Sequence, residues 1–178
     1  MAEQREEEME ELQKVKSEAA QIINGCPILP LLIVFDLDYT LWPFFCECYD
    51  EDDMPWLYPQ ARGILCALKD RGIEMAIASR SPASDVAKAF LAKLGIESMF
   101  VAQLECWTHK TEHFQRIHDR TGTQFDLMLF FDDENRNIEA ITKMGVTCIL
   151  VNRGLNLEAL RQGLTNFSQK SLGMNGKD

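Results

Sequence analysis

The sequence predicts an α/β fold, a doubly wound parallel sheet with helices on both faces, lacking a cap domain and carrying only a short flap. Two features carry that expectation. Short apolar runs alternate with amphipathic segments, and the segments between runs begin and end on helix punctuation. The runs Leu31–Phe35, Ile73–Ala78, Met99–Leu104, Leu127–Phe131 and Thr147–Val151 are each about strand length. They lack polar alternation, as strands covered on both faces do. Repeated strand–helix units with right-handed crossovers then give a parallel sheet.

Taken in order, residues 1–20 place Met9, Leu12, Val15 and Ala19 at three- and four-residue spacing among Glu and Lys. This pattern reads as a weakly amphipathic helix or a frayed, solvated tail, with Glu10 and Lys14 a possible i,i+4 pair. After the first strand, residues 43–57 form the flap. Tyr58–Arg71 reads as a helix with Pro59 in its first turn and Gly72 beyond its end. Pro82–Leu94 is expected to take Ser81 as N-cap and Gly95 as its stop. Thr108–Arg120 ends before Gly122, Glu134–Met144 ends at Gly145, and Leu157–Gly163 is capped by Asn156. The expected organisation is therefore an acidic tail or helix over residues 1–25, one domain over 26–165, and a tail over 166–178.

Composition agrees with a single folded unit. The chain has 178 residues, 46% of them hydrophobic and 26% charged, which is ordinary for a compact domain. No apolar run approaches the ~20 residues that span a bilayer, so no membrane is expected. The opening MAEQREEEMEEL is unlike a secretory leader, so a cytoplasmic location is expected, with entry to the nucleus left open. The net charge is −10, and most of it is local: residues 1–20 contribute −4 and the run CECYDEDD at 46–53 contributes −5. No basic stripe appears, so nucleic acid is not an expected partner. Six cysteines without a CxxC pair read as reduced thiols; Cys46 and Cys48 leave a redox role open, with core filling favoured.

In sheets of this kind ligands bind outside the carboxyl ends of the strands. The residues found there are Asp36-Leu37-Asp38-Tyr39-Thr40, Ser79-Arg80-Ser81, Trp107-Thr108-His109-Lys110 and Asp132-Asp133-Glu134-Asn135. Each group alone has a plain alternative. Acids in a first helical turn favour the positive end of the helix dipole, and Ser81 is best read as a cap. Lys110 resists that explanation, because a cation at a helix start faces the wrong end of the dipole, so a nearby anion is expected. Asp36 and Asp38 are the hardest to explain structurally, since like charges this close need a shared proton or a metal. Four carboxylates with no aligned histidine or thiolate suit a hard, oxygen-liganded ion, and Mg²⁺ is the natural candidate. His109 and His113 are four residues apart and could chelate zinc, but no third ligand is evident and a solvated helix face is the better reading. Of Trp42, Phe44, Phe45, Trp56 and Trp107, most are expected to form core beneath the flap.

The run VFDLDYTLWPF resembles the first motif of the haloacid dehalogenase superfamily, DxDxT after a hydrophobic strand. The remaining motifs follow in the superfamily's order: Ser79 lies 43 residues on, Lys110 another 31, and Asp132-Asp133 another 22. DLDYTLWPF with FFDDENRNI is similar to that superfamily's magnesium-dependent phosphatase branch, and the likeness covers about residues 28–165. The branch usually carries a longer flap, so the chemistry is better determined than the substrate.

The resemblance implies an enzyme, a Mg²⁺-dependent phosphomonoester hydrolase working through an aspartyl-phosphate. Asp36 is then the nucleophile and Asp38 the acid and base; Ser79, Arg80 and Lys110 hold the phosphoryl group. Asp36, Asp132 and the Asp38 carbonyl would hold the metal, with Asp133, Thr40 and Asn135 behind them. Sugar phosphates and other small phosphometabolites, or protein phosphotyrosine, are the implied substrates; oligomeric state is not legible. The physics agrees: a carboxylate ~4 Å from a phosphate charge faces roughly 4 kcal/mol of repulsion per unit pair at an effective dielectric near 20. A divalent cation reverses that sign. Five flap acids near the mouth are expected to disfavour polyanionic substrates. Two rivals differ in kind. A phospho-accepting receiver domain needs an Asp ending the third strand, and here Glu105-Cys106-Trp107 stands there. A catalytically silent binding or regulatory protein of the same fold is the other, weakened by the joint presence of Asp36, Asp38, Ser79, Lys110 and Asp132.

Overall fold

The computed structural model describes residues 2–175. Five parallel strands, β1 (Leu32–Phe35), β2 (Glu74–Ser79), β3 (Ala102–Glu105), β4 (Met128–Asp132) and β5 (Thr147–Leu150), form one sheet in the order β3-β2-β1-β4-β5. Six helices accompany them: α1 (Ala2–Asn24), α2 (Ala61–Asp70), α3 (Ser84–Lys93), α4 (Lys110–Thr121), α5 (Asn135–Thr142) and α6 (Leu157–Asn175). All five strands fall on predicted apolar runs. The third starts three residues later than expected, because Glu97–Met99 closes into a 3₁₀ turn first. Met9, at 62% exposure, shares none of the burial of Val15 and Ala19, so the apolar stripe of α1 is docked only along its second half.

Alternate strand residues face opposite sides of a sheet, and the core divides accordingly. Ile33, Phe35, Met75, Ile77, Leu129, Phe131 and Ile149 pack with α1, α2, α3 and α6. Leu32, Val34, Ala76, Ala78, Met128 and Phe130 pack with Phe114 and Ile117 of α4 and Ile141 of α5. The chain leaves β1 toward β2 and β3, then returns to the other side of β1 at β4. The strand order therefore reverses between β1 and β4, and a crevice opens above their carboxyl ends. In register, Phe35 stands beside Phe131, so Asp36 and Asp132 leave the sheet at the same level.

Two elements differ from expectation. The N-terminal segment is a 23-residue helix, and its second half is integral: Val15, Ala19, Ile22 and Ile23 are buried. The reason is Gly63 of α2, where an added Cβ would lie 2.7 Å from a methyl of Val15; the missing side chain lets the two helices close up. The Glu10–Lys14 pair is replaced by Lys14–Glu11 at 3.9 Å. The last helix passes its expected stop at Gly163 and continues to Asn175. Gly163 is a contact glycine, since a Cβ there would meet the Phe131 ring at 2.9 Å. Leu164 and Phe167 beyond it are buried, so the helix keeps burying one face.

The caps are partly as predicted. Asn156 Oδ1 accepts the Ala159 N–H at 2.8 Å and caps α6. Gln60, just ahead of α2, instead accepts the Leu157 N–H at 2.8 Å. Ser81 accepts the Ala83 N–H at 3.1 Å, although α3 itself starts at Ser84. Of the expected solvated histidine face, His109 is exposed but His113 is fully buried. His113 Nε2 lies 3.1 Å from the Cys106 carbonyl, and Nδ1 has no partner. Burial, with Lys110 adding to it, pushes the His113 imidazole down to about 4.

Two outcomes follow. Val15→Asp puts an unpaired charge between α1 and α2, a cost of about 3 kcal/mol that lowers the melting temperature by roughly 10 °C; an unchanged melt would return α1 to a solvated appendage. A histidine depressed in the folded state stabilises above its unfolded value near 6.5 and loses that contribution as pH falls toward 4. Denaturant unfolding of the wild type should therefore lose about 2 kcal/mol more between pH 7 and pH 5 than His113→Gln does. Parallel pH profiles contradict the assignment.

Candidate active site

The loop after β1 builds the first half of the site. Asp36 N–H donates to the Phe131 carbonyl at 3.0 Å, which extends the β1–β4 ladder to the level of Asp132. The chain then turns sharply: the Leu37 carbonyl accepts the N–H groups of Thr40 at 3.0 Å, Leu41 at 2.8 Å and Trp42 at 3.3 Å. Tyr39 at φ 55° supplies the left-handed step, a conformation that costs a non-glycine residue about 1 kcal/mol or more. The buried Thr40 hydroxyl donates to Asp36 Oδ2 at 3.3 Å.

The second half comes from β4 and α4. Asp36, Asp132 and Asp133 offer carboxylate oxygens that all lie within 4.8 Å of one another. Lys110, at the first position of α4 and only 3% exposed, reaches Asp36 Oδ1 at 2.7 Å and Asp132 Oδ2 at 3.1 Å. It also donates to the Ala78 carbonyl at the tip of β2. The anion that its unfavourable dipole position called for is thus this carboxylate cluster. Asp132 is fixed from behind by Asn137 Nδ2, at 3.2 and 3.1 Å from its two oxygens, and by the Glu134 N–H at 2.7 Å.

Charge in this cluster does not balance. Three carboxylates face one ammonium, leaving two negative charges in a buried place. Burial, opposed by Lys110 and aided by Asp132, pushes Asp36 well above the usual carboxylate range. Burial and then Asp132 push Asp133 up to about 6. For Lys110, burial alone would lower the ammonium, but Asp36 and Asp132 outweigh it and raise it. A dense all-oxygen donor set with a deficit of two positive charges fits a small hard divalent cation.

Asp38 is treated differently. Its Oδ1 accepts the Trp42 indole N–H at 2.6 Å and the Cys46 N–H at 3.1 Å. It shares no oxygen with the cluster, and burial raises it while these two donors oppose the rise. Two acids two residues apart thus sit in unlike surroundings. Above them opens a cleft of about 280 Å³ lined by Asp36, Asp38, Ser79, Arg80, Ser81, Lys110, Asp133 and Asn137, with Phe45, Glu47 and Trp107 at its walls.

Most predicted residues meet here. Arg80 lies with its guanidinium 5.3 Å from the Trp107 ring centre. Asn135 does not take part: its amide pairs with Glu139 at 2.6 Å on the exposed side of α5. Asn137, unremarked in the sequence, holds Asp132 instead. Only its place one helical turn past Asp133 could have signalled this. The loop aromatics divide: Trp42 and Phe44 are buried, whereas Phe45, Trp56 and Trp107 are exposed. Of the flap acids only Glu47 lines the cleft; the Asp53 carbonyl is bound by Lys93 at 2.9 Å, which ties residues 51–53 to the end of α3. The expected repulsion of polyanions by five carboxylates thus falls to Glu47. All six cysteines are free, Cys46 fully buried and Cys48 exposed, and burial with the Asp38 charge pushes the Cys46 thiol up to about 12.

Three comparisons bear on this site. The chain is 38% identical over 162 residues to human magnesium-dependent phosphatase 1, which spans 82% of this chain and 91% of the relative. Its fold superposes on D,D-heptose 1,7-bisphosphate phosphatase from B. bronchiseptica, solved with magnesium and phosphate, at a TM-score of 0.58 and 16% identity, over 80% of this chain and 98% of that one. It superposes on L-2-haloacid dehalogenase from Xanthobacter autotrophicus at 0.56 and 16% identity, over 78% and 83%. The acid phosphatase family model matches residues 53–170. A Schizosaccharomyces pombe protein of the HAD-like hydrolase superfamily is 33% identical over 144 residues, 66% of this chain and 83% of that one, and the chain belongs to the acid phosphatase family within that superfamily.

Proposed function

We propose that this phosphatase is Mg²⁺-dependent and hydrolyses phosphomonoesters through an aspartyl-phosphate on Asp36, with Asp38 as general acid and base. The observation that carries the proposal is the division of labour between the two acids. Asp36 is held by Lys110 and Thr40 at the edge of a carboxylate cluster. Asp38 is held apart from it by Trp42 and Cys46.

Asp36, Asp132 and Asp133 would hold the ion by side chains, and the Asp38 carbonyl is the fourth protein donor that the family resemblance implies. When bound, Mg²⁺ offsets the negative charge between carboxylates and phosphate, so that a dianion can approach. The remaining steps belong to the chain. Asp36, kept in line by Lys110 and Thr40, attacks phosphorus while the ester bond breaks. Asp38 gives its proton to the leaving oxygen. Lys110, Ser79 and Arg80 bind the equatorial oxygens as charge spreads over them. Asp38, now ionised, takes a proton from water as that water attacks phosphorus and releases Asp36. For the leaving group, an open cleft walled by Phe45 and Trp107 accommodates a small sugar phosphate or a protein phosphotyrosine. A cytoplasmic enzyme is consistent with its free cysteines, and no described helix is long and apolar enough to cross a membrane.

The two aspartates are separable by experiment. Asp36→Asn should lose roughly a thousandfold or more of turnover on p-nitrophenyl phosphate with its fold intact. Asp38→Asn should release one equivalent of p-nitrophenol in a burst and then stall, because the first half-reaction with this leaving group needs no acid while the second needs a base. Retained turnover in the first variant, or steady release at the wild-type rate in the second, contradicts the assignments.

A further inference from the structure

We propose that Trp42 and the backbone N–H of Cys46 are positioning groups for Asp38, so that docking of the 43–57 flap fixes where its proton resides. The inference deepens the acid role given to Asp38 above and depends on it. The Trp42 indole N–H at 2.6 Å and the Cys46 N–H at 3.1 Å both point at Oδ1. Neither group can accept a hydrogen bond. Oδ1 must therefore stay an acceptor, and a proton on Asp38 has only Oδ2 to occupy. A carboxyl free to rotate would present its proton to the substrate part of the time; one with Oδ1 occupied twice presents it in a single orientation.

The donors are themselves held. Trp42 is fully buried, stacked on Phe44 at 5.6 Å between ring centres and set edge-on to Phe90 at 5.9 Å. Phe44 belongs to the flap and Phe90 to α3, so the indole is clamped between the two. Cys46 opens the 3₁₀ turn Cys46–Cys48, and its thiol meets Ser81 Oγ at 3.1 Å, which anchors that turn to the loop after β2; the same sulfur lies 3.8 Å from Asp38 Oδ2, a long contact beside the two N–H donors on Oδ1. In the reaction the Oδ2 proton passes to the leaving oxygen as the phosphorus–oxygen bond breaks. The resulting carboxylate keeps both donors and then accepts a proton from the attacking water on the same oxygen. The flap thus supplies the orientation of the acid in addition to covering the cleft.

The test compares kcat/KM on p-nitrophenyl phosphate, whose leaving group departs without a proton, and on phenyl phosphate, whose leaving group needs one, at saturating Mg²⁺. Trp42→Phe keeps the aromatic stack and removes the N–H. Cys46→Ala keeps the N–H and removes the thiol with its contacts to Ser81 and Asp38 Oδ2, so it measures the thiol's share separately. Cys46→Pro removes the N–H at the first position of a turn, where proline is tolerated and where Phe45, at φ −85° and ψ 118°, already has the extended backbone that precedes it. Trp42→Phe and Cys46→Pro should each lose about tenfold on phenyl phosphate and no more than about twofold on p-nitrophenyl phosphate, and the excess of the Cys46→Pro loss over that of Cys46→Ala is the share of the N–H. Equal losses on the two esters, or none, overturn the positioning role. Asp38→Asn is the reference: a leaving-group-dependent loss there without one in Trp42→Phe or Cys46→Pro refutes this inference alone, whereas its absence in Asp38→Asn refutes the acid role itself. Should Trp42→Phe not fold, the Cys46 pair decides by the same contrast.

Discussion

The mutual repulsion of Asp36, Asp132 and Asp133 is the constraint around which the site is arranged. The β1–β4 register sets Asp36 and Asp132 level at adjacent strand tips, and Asp133 follows directly, so the three charges are fixed by the sheet itself. Lys110 offsets one of them from within hydrogen-bond distance. Burial first, and then the charge of Asp132, explain why Asp36 and Asp133 hold their protons more tightly than ordinary carboxylates do. Such a cluster is costly to keep unless a ligand resolves it, and a divalent cation resolves it with matching charge and matching donor chemistry. Strain of this kind is expected where function is built, because stability alone would favour apolar residues there.

From that constraint the roles of neighbouring residues follow. Asn137 and the Glu134 N–H turn Asp132 toward the cluster, and Thr40 does the same for Asp36. Asp38, only two residues from Asp36, is held apart from the cluster by Trp42 and Cys46, which the chain brings back to it after the left-handed step at Tyr39. That single step returns the chain over Asp38 within one loop. It also places Asp38 under the flap, where an indole and a backbone amide take up one of its oxygens. Two carboxyl groups two residues apart thus meet different partners, although burial raises both.

The sheet and the acids were legible because both follow from local rules. Buried parallel strands read as unbroken apolar runs, and the residues after each run are forced to one edge. Lys110 was legible as a cation in the wrong place for a helix dipole. What escaped depends on contacts between distant segments. Gly63 and Gly163 look like weak points of a helix, yet each marks a close approach, one by α1 and one by the sheet. The docking of α1 was hidden because its exposed face is strongly acidic and only Val15, Ala19, Ile22 and Ile23 mark the other. Asn135 and Asn137 differ by two positions on α5, about 200° around a helix, and only the orientation of that helix on β4 decides which one meets Asp132. Trp42 looked like core filler, and it is buried; its N–H contact with Asp38 depends on a turn that no periodicity encodes.

Locating the ion tests the electrostatic basis of the site most directly. Crystals grown with Mn²⁺ in place of Mg²⁺ should give one strong anomalous peak within bonding distance of carboxylate oxygens of Asp36 and Asp132. Crystals of Asp132→Ala grown in the same way should lack it. A peak elsewhere, or none in the wild type while the protein remains active, would show that the acidic cluster is not the cation site and that catalysis has another basis.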